Sequence, residues 1–289
     1  MPTSSLRGQA GRSRAVPLAA AAFALVTLFG CGTAPLERRD TTLQLAAMAQ
    51  WQSTLIPAGR FRLLTLHPAP VRASELAVFI EGDGYAWADL RTPSADPTPH
   101  NPVALRLALA ESRRPGGRTS AYLARPCQFD PAGTPKNCST DDWTQARFSG
   151  EAVAAMNRAV SQLKQMFSAE RLVLVGYSGG GAVAALVAAR RTDVALLVTV
   201  AGVLDHDAWT RAQGVSPLTG SMNPAGQWQA LTKTRQVHLV GGRDTQTGRA
   251  AVQPFVDRFN PGQKPVVIDV PDFSHACCWV ENWPRLSPK

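Results

Sequence analysis

The sequence is thin in charge and in aromatic side chains. Asp, Glu, Lys and Arg make up 18% of its 289 residues and Phe, Trp and Tyr 7%, which is the composition of neither a disordered chain nor a coiled coil. Its Lys and Arg are spread rather than blocked, and no basic cluster accompanies a recognition module, so nucleic acid is not an expected partner. Internal repeats are absent. The five cysteines include the adjacent pair Cys277-Cys278, which lacks the ligand spacing of a zinc site, and neither a metal nor a cofactor is expected. The N-terminal apolar run Ala15–Gly30 has 16 residues, interrupted by Pro17, where a membrane span needs roughly 20. What the chain does have is hydrophobic mass: 45% of its residues, enough for one large domain around a single core.

The apolar run is preceded by Arg7, Arg12 and Arg14 and by no acid. Basic head, apolar middle and small terminal residue are the parts of a secretory signal. The run closes on Leu28-Phe29-Gly30-Cys31, which resembles the lipobox of bacterial lipoproteins, although Phe29 stands where that family prefers a small residue. The resemblance implies cleavage after Gly30 and acylation of Cys31, hence a membrane contact through a lipid anchor. Gly32 stands where some lipoproteins carry an inner-membrane retention aspartate, which implies the periplasmic face of the outer membrane in a Gram-negative cell. Plain release to the periplasm is the alternative. Loss of residues 1–30 takes the formal net charge from +9 to +6, a moderate basic excess suited to anionic lipid or polymer. Residues 31–59 then read as a tether with a short helix around Thr42–Trp51, and the folded domain as 60–289.

Four cysteines remain, Cys127, Cys138, Cys277 and Cys278. An even count outside the cytoplasm favours disulfides, and four cysteines allow three pairings that the sequence leaves open.

Along the domain, short apolar runs alternate with helical patterns. Arg60–Leu66, Glu75–Glu81, Thr119–Ala124, Arg171–Val175, Ala195–Ala201, Gln236–Val240 and Pro265–Val270 read as strands, several of them continuously apolar as in buried parallel sheets. Asn101–Ser112 and Glu151–Phe167 place apolar residues at helical spacing, the second with Ser149 as cap, and Ala182–Arg190 is an alanine-rich helix. The expected class is α/β: a mostly parallel central sheet with helices on both faces. Leu204–Arg235, rich in Gly, Pro and Asn, reads as a lid over a site.

The chemistry concentrates in RLVLVGYSGGG, where Gly176-Tyr177-Ser178-Gly179-Gly180 lies between a buried strand and a helix. Serine thrust out at a sharp strand-to-helix turn needs small neighbours two residues away on either side. The same glycines lack the Gly-Lys-Ser/Thr ending of a phosphate-binding loop. In this context the chain resembles the α/β-hydrolase superfamily over most of the span from Arg60 to its end. The resemblance implies Ser178 as nucleophile, then an acid, then a histidine base in chain order. His275 follows the last strand and Asp244 closes the strand before it. Asp205 and Asp207, after the preceding strand, are rival acids. The oxyanion donors implied are the backbone N–H groups of Gly179 and Asp83, the latter in Glu81-Gly82-Asp83-Gly84 where the superfamily often carries His-Gly-X. Tyr85, Trp87, Trp209, Trp228, Trp279 and Trp283 flank these loops and are candidates for an apolar acyl pocket.

The function implied is a serine hydrolase of the cell envelope that cleaves a carboxylic ester through an acyl-enzyme, acting on a small-molecule or lipid-like acyl substrate. An envelope acyltransferase or thioesterase, or a non-catalytic lipid-anchored binding protein with the same fold, are the alternatives.

Overall fold

Continuously apolar strands need cover on both faces, and the computed structural model, which describes residues 1–4, 35–132 and 137–289, shows how they get it. Two strands, β1 (Gln52–Ala58) and β2 (Phe61–His67), pair antiparallel at one edge. The others are β3 (Glu75–Ile80), β4 (Thr119–Leu123), β5 (Arg171–Tyr177), β6 (Val194–Val200), β7 (Arg235–Gly241) and β8 (Val266–Val270). They form one sheet in the order β1-β2-β4-β3-β5-β6-β7-β8, parallel from β4 onward. The expected α/β architecture is therefore the one observed.

Period-two alternation divides the core into two layers. Leu76, Val78 and Ile80 of β3 pack into one layer with α3 (Gly150–Met166), α4 (Gly179–Ala188) and the short α6 (Gln253–Val256); Ala77 and Phe79 face the other, with α2 (Val103–Arg113) and α7 (Trp279–Leu286). Every residue of α4 is buried, which is why its sequence is Gly, Ala, Val and Leu throughout. Ser149 caps α3, its hydroxyl accepting from the N–H of Ala152.

The folded domain starts earlier than Arg60. The stretch 31–59, expected as tether and short helix, supplies α1 (Pro35–Met48) and the edge strand β1. β1 was hidden because its sequence, QSTLIPA, carries Pro57 and a half-polar pattern that only an edge strand tolerates. Residues 5–34, on which most of the expected signal peptide and the expected lipidation at Cys31 fall, lie outside the described residues. The cysteines pair as Cys127–Cys138 and Cys277–Cys278. Within Leu204–Arg235, α5 (His206–Gln213) and a 3-10 turn (Pro224–Leu231) form; Ala225 and Leu231 of the latter pack into the core rather than over a cavity.

Candidate active site

The turn from β5 into α4 is where local sequence dictates local strain. Ser178 adopts φ 53° and ψ −124°, a left-handed region that a non-glycine residue occupies only when its surroundings enforce it. They do so by crowding. A Cβ on Gly176 would collide with the carbonyl oxygen of Gly180, and one on Gly180 with the carbonyl oxygens of Ile80 and Glu81 at the end of β3. The Ser178 N–H donates to Val200 O at 2.9 Å, locking the turn to β6.

His275 comes to Ser178 on the loop after β8. Its Nε2 lies 3.0 Å from Ser178 Oγ and its Nδ1 2.9 Å from Asp244 Oδ2. Asp244, on the loop after β7, is buried at the side chain and held at both oxygens. Gln246 N–H and Thr247 N–H donate to Oδ1 at 2.8 and 3.0 Å, and Thr247 Oγ lies 2.7 Å from Oδ2. Burial pushes the Asp244 carboxyl up, but the hydrogen bonds from His275 and Thr247 outweigh it and hold the group well below the usual carboxylate range. Three side chains from the ends of β5, β7 and β8 are thus joined in one line. The rival Asp205 is engaged elsewhere: it caps α5, accepting from the N–H groups of Asp207 and Ala208, and from Asn223 Nδ2.

His275 is held further by Tyr177, to which the sequence assigned no role, and by Trp279, expected as a pocket aromatic. Tyr177 OH donates to His275 O at 3.2 Å, with its ring 5.3 Å from the imidazole, and Trp279 Nε1–H is shared between His275 O at 2.9 Å and Ser274 O at 3.1 Å. Thr247 supports Asp244 through the contacts above. No spacing signals the roles of Tyr177 and Trp279, since their acceptors are main-chain carbonyls that any residue would supply.

The Gly82-Asp83 loop after β3 abuts the turn. A Cβ on Gly82 would lie 3.3 Å from Ser178 Cβ, and the Asp83 carboxylate rests directly against Gly179. Glu81 is fully buried; its Oε1 accepts from Gly82 N–H at 2.9 Å and Ala104 N–H at 3.4 Å. It thereby caps α2, whose own N-cap, Pro102, has no side-chain donor or acceptor to offer. Burial pushes the Glu81 carboxyl up to about 7 against these hydrogen bonds.

Ser178 and His275 open into a cavity of about 1170 Å³ bounded by Tyr85, Trp87, Trp209 and Leu218 among others. Of the six aromatics flagged in the sequence, Tyr85, Trp87 and Trp209 line it. The remaining three pack elsewhere: Trp228 against Phe259, Trp279 beneath the His275 loop, and Trp283 in the second core layer, donating from Nε1 to Glu111.

No family model matches the sequence, and no curated protein matches it by sequence. Solved structures do. The chain is similar to an esterase of Pyrococcus furiosus (TM-score 0.55, 15% identity, 82% of this chain and 89% of that one). A similar match is the esterase domain of a Rhodothermus marinus protein (0.54, 15%, 82% and 94%). An acylaminoacyl peptidase of Pyrococcus horikoshii also matches (0.55, 11%), over 84% of this chain and 40% of that one. At such identities the likeness is one of architecture: this is the α/β-hydrolase fold.

Proposed function

We propose that this α/β-hydrolase-fold protein is a serine hydrolase that cleaves a carboxylic ester through an acyl-enzyme. The observation that carries the reading is the pair of contacts on one imidazole, 3.0 Å from Nε2 to Ser178 Oγ and 2.9 Å from Nδ1 to Asp244 Oδ2. With Asp244 ionised, the proton of the neutral imidazole belongs on Nδ1, which leaves Nε2 free to accept. Ser178 Oγ then attacks the acyl carbonyl as Nε2 takes its proton. The N–H groups of Gly179 and Asp83 receive the negative oxygen, and the alcohol leaves with the proton from Nε2. Water, deprotonated by the same nitrogen, releases the acid and restores Ser178. Esters are favoured over amides by the two esterases, whose lengths this chain nearly spans, against the peptidase of which it spans less than half.

The enzyme sits in the cell envelope, anchored through an acylated Cys31. A fluorophosphonate probe should label wild-type protein, with labelling and hydrolysis of short p-nitrophenyl esters both lost in Ser178→Ala. A wild-type protein that neither labels nor turns over esters is instead a binding protein. Preferential transfer to an added alcohol would make it an acyltransferase. Incorporation of radiolabelled palmitate, abolished by Cys31→Ser, tests the anchor.

A further inference from the structure

The Asp83 carboxylate lies so close to the residue after the nucleophile that a Cβ on Gly179 would overlap its Oδ1. A bare negative charge there opposes the oxyanion that the Gly179 and Asp83 amides are to receive. The structure answers it with two guanidinium groups. Arg125 Nη1 lies 3.2 Å from Asp83 Oδ1 and Arg147 Nη1 2.6 Å from Asp83 Oδ2, with the arginine side chains 5% and 7% exposed. The rest of the network fixes the loop itself: Gln128 Nε2 donates to Gly82 O at 2.9 Å, Gln128 Oε1 accepts from Arg125 N–H at 3.0 Å, and Arg125 Nη2 donates to Arg147 O at 2.6 Å. Other acids nearby do not cancel the surplus cation. Asp142 is taken by a two-pronged contact with Arg60, at 2.6 and 2.9 Å. Glu81 is the other acid that Arg125 senses, and it is the one burial drives toward its neutral form. Buried charges are costly to desolvate and add little to stability over apolar replacements, so two buried arginines at the nucleophile call for a role beyond packing.

We propose, on the serine-hydrolase reading above, that Arg125, Arg147 and Gln128 are positioning residues for the oxyanion side of the site. They hold Gly82-Asp83 against Ser178-Gly179, and they turn the local charge beside the developing oxyanion from negative to positive. Arg125 and Gln128 stand on either side of Pro126-Cys127, so the Cys127–Cys138 disulfide braces the same platform.

The test compares Arg147→Met, Arg147→Lys and Gln128→Leu with wild type for kcat and KM on p-nitrophenyl butyrate, inhibition by an alkylboronic acid that forms a tetrahedral serine adduct, and Tm. Arg147→Met is expected to lower kcat about 10–100-fold, to hold KM within about threefold, and to weaken the boronic acid by the same factor as kcat. Arg147→Lys should recover most of both. Gln128→Leu, which removes no charge and carries the test if Arg147→Met does not fold, should lower kcat about 10-fold. If the folded variants keep kcat and boronic-acid affinity within about twofold of wild type while Tm falls, the network is only structural and the inference is overturned. A wild type that fails to label with fluorophosphonate overturns the hydrolase reading together with it; a wild type that labels, with unaffected variants, overturns this inference alone.

Discussion

His275 is fixed at four points: both ring nitrogens, its carbonyl, and the ring face against Tyr177. Asp244→Asn puts this arrangement to the sharpest test, because an amide can donate to Nδ1 and drive the proton onto Nε2, where it blocks acceptance from Ser178. We expect kcat to fall about 10³–10⁴-fold with the fold intact, read by steady-state kinetics beside a circular dichroism spectrum. Glu81 yields a second prediction. Its carboxyl is raised from an ordinary 4.5 to about 7, so between those values the folded chain holds a proton the unfolded chain has released. Stability must therefore fall as pH rises through that window, by about 3 kcal/mol from this group. Glu81→Gln cannot ionise, and urea titrations at pH 4 and pH 8 should show the variant gaining on wild type by up to that amount. Unchanged spacing between the two curves would mean Glu81 ionises normally. At this scale Ser178, Asp244 and His275 were legible because each sits at the end of an apolar run, in an order the chain displays. Arg125 and Arg147 were not, since their significance lies in a carboxylate about 40 and 60 residues away that only the sheet brings near.

Among the elements, the β5 to α4 turn and the end of β3 form one mechanical unit, because Gly180 fits only where the carbonyls of Ile80 and Glu81 leave no room for a methyl group. Gly180→Ala should push β3 and its following loop away from Ser178. The expected cost is about 1–3 kcal/mol of unfolding free energy from urea titration, with a larger proportional loss of kcat. The Cys127–Cys138 bridge braces the same loop from the other side across a sequence separation of 11. A Cys127→Ser/Cys138→Ser double variant should lose about 2–3 kcal/mol of stability by the loop-closure argument. β3 and β5 could be read from the sequence because strands buried on both faces are apolar almost throughout, and the runs of β6 and β7 are broken inside only by Thr199 and His238, which bond each other at 2.9 Å. α7 could not: Pro284 stands inside it and it is only eight residues long, although Trp279, Val280, Trp283 and Leu286 all pack against the second core layer. α5 was obscured by its mean polarity, though Asp205 ahead of it was a readable cap and Gly214, at φ 64°, a readable stop.

Across the whole molecule, the cavity is an assembly of distant loops: the excursion after β3 carrying Tyr85, Trp87 and Leu90, and α5 with the chain to Leu218. Trp87, Leu90 and Val215 stand exposed at its lining, an apolar border of the kind that marks a ligand or interface site. The segment expected as a lid divides by chemistry. Its second half packs into the core, whereas its first half is tied to the loop of Asp244, through Trp209 Nε1 to Gln246 O at 2.7 Å and Gln213 Nε2 to Thr245 O at 2.9 Å. Trp209 therefore faces two duties, wall of the cavity and strut for the acid loop, and Trp209→Ala separates them. If the indole is chiefly a wall, loss of apolar contact should lower kcat/KM for p-nitrophenyl octanoate about 10-fold while acetate, too short to reach it, changes little. If it is chiefly a strut, both esters should lose kcat equally and the pH profile should shift with them. Asp244 keeps its bonds from Gln246 N–H and from Thr247 without the indole, so the acid does not depend on the strut for its place. We accordingly expect the chain-length-selective outcome, measured as the octanoate-to-acetate ratio of kcat/KM in variant and wild type.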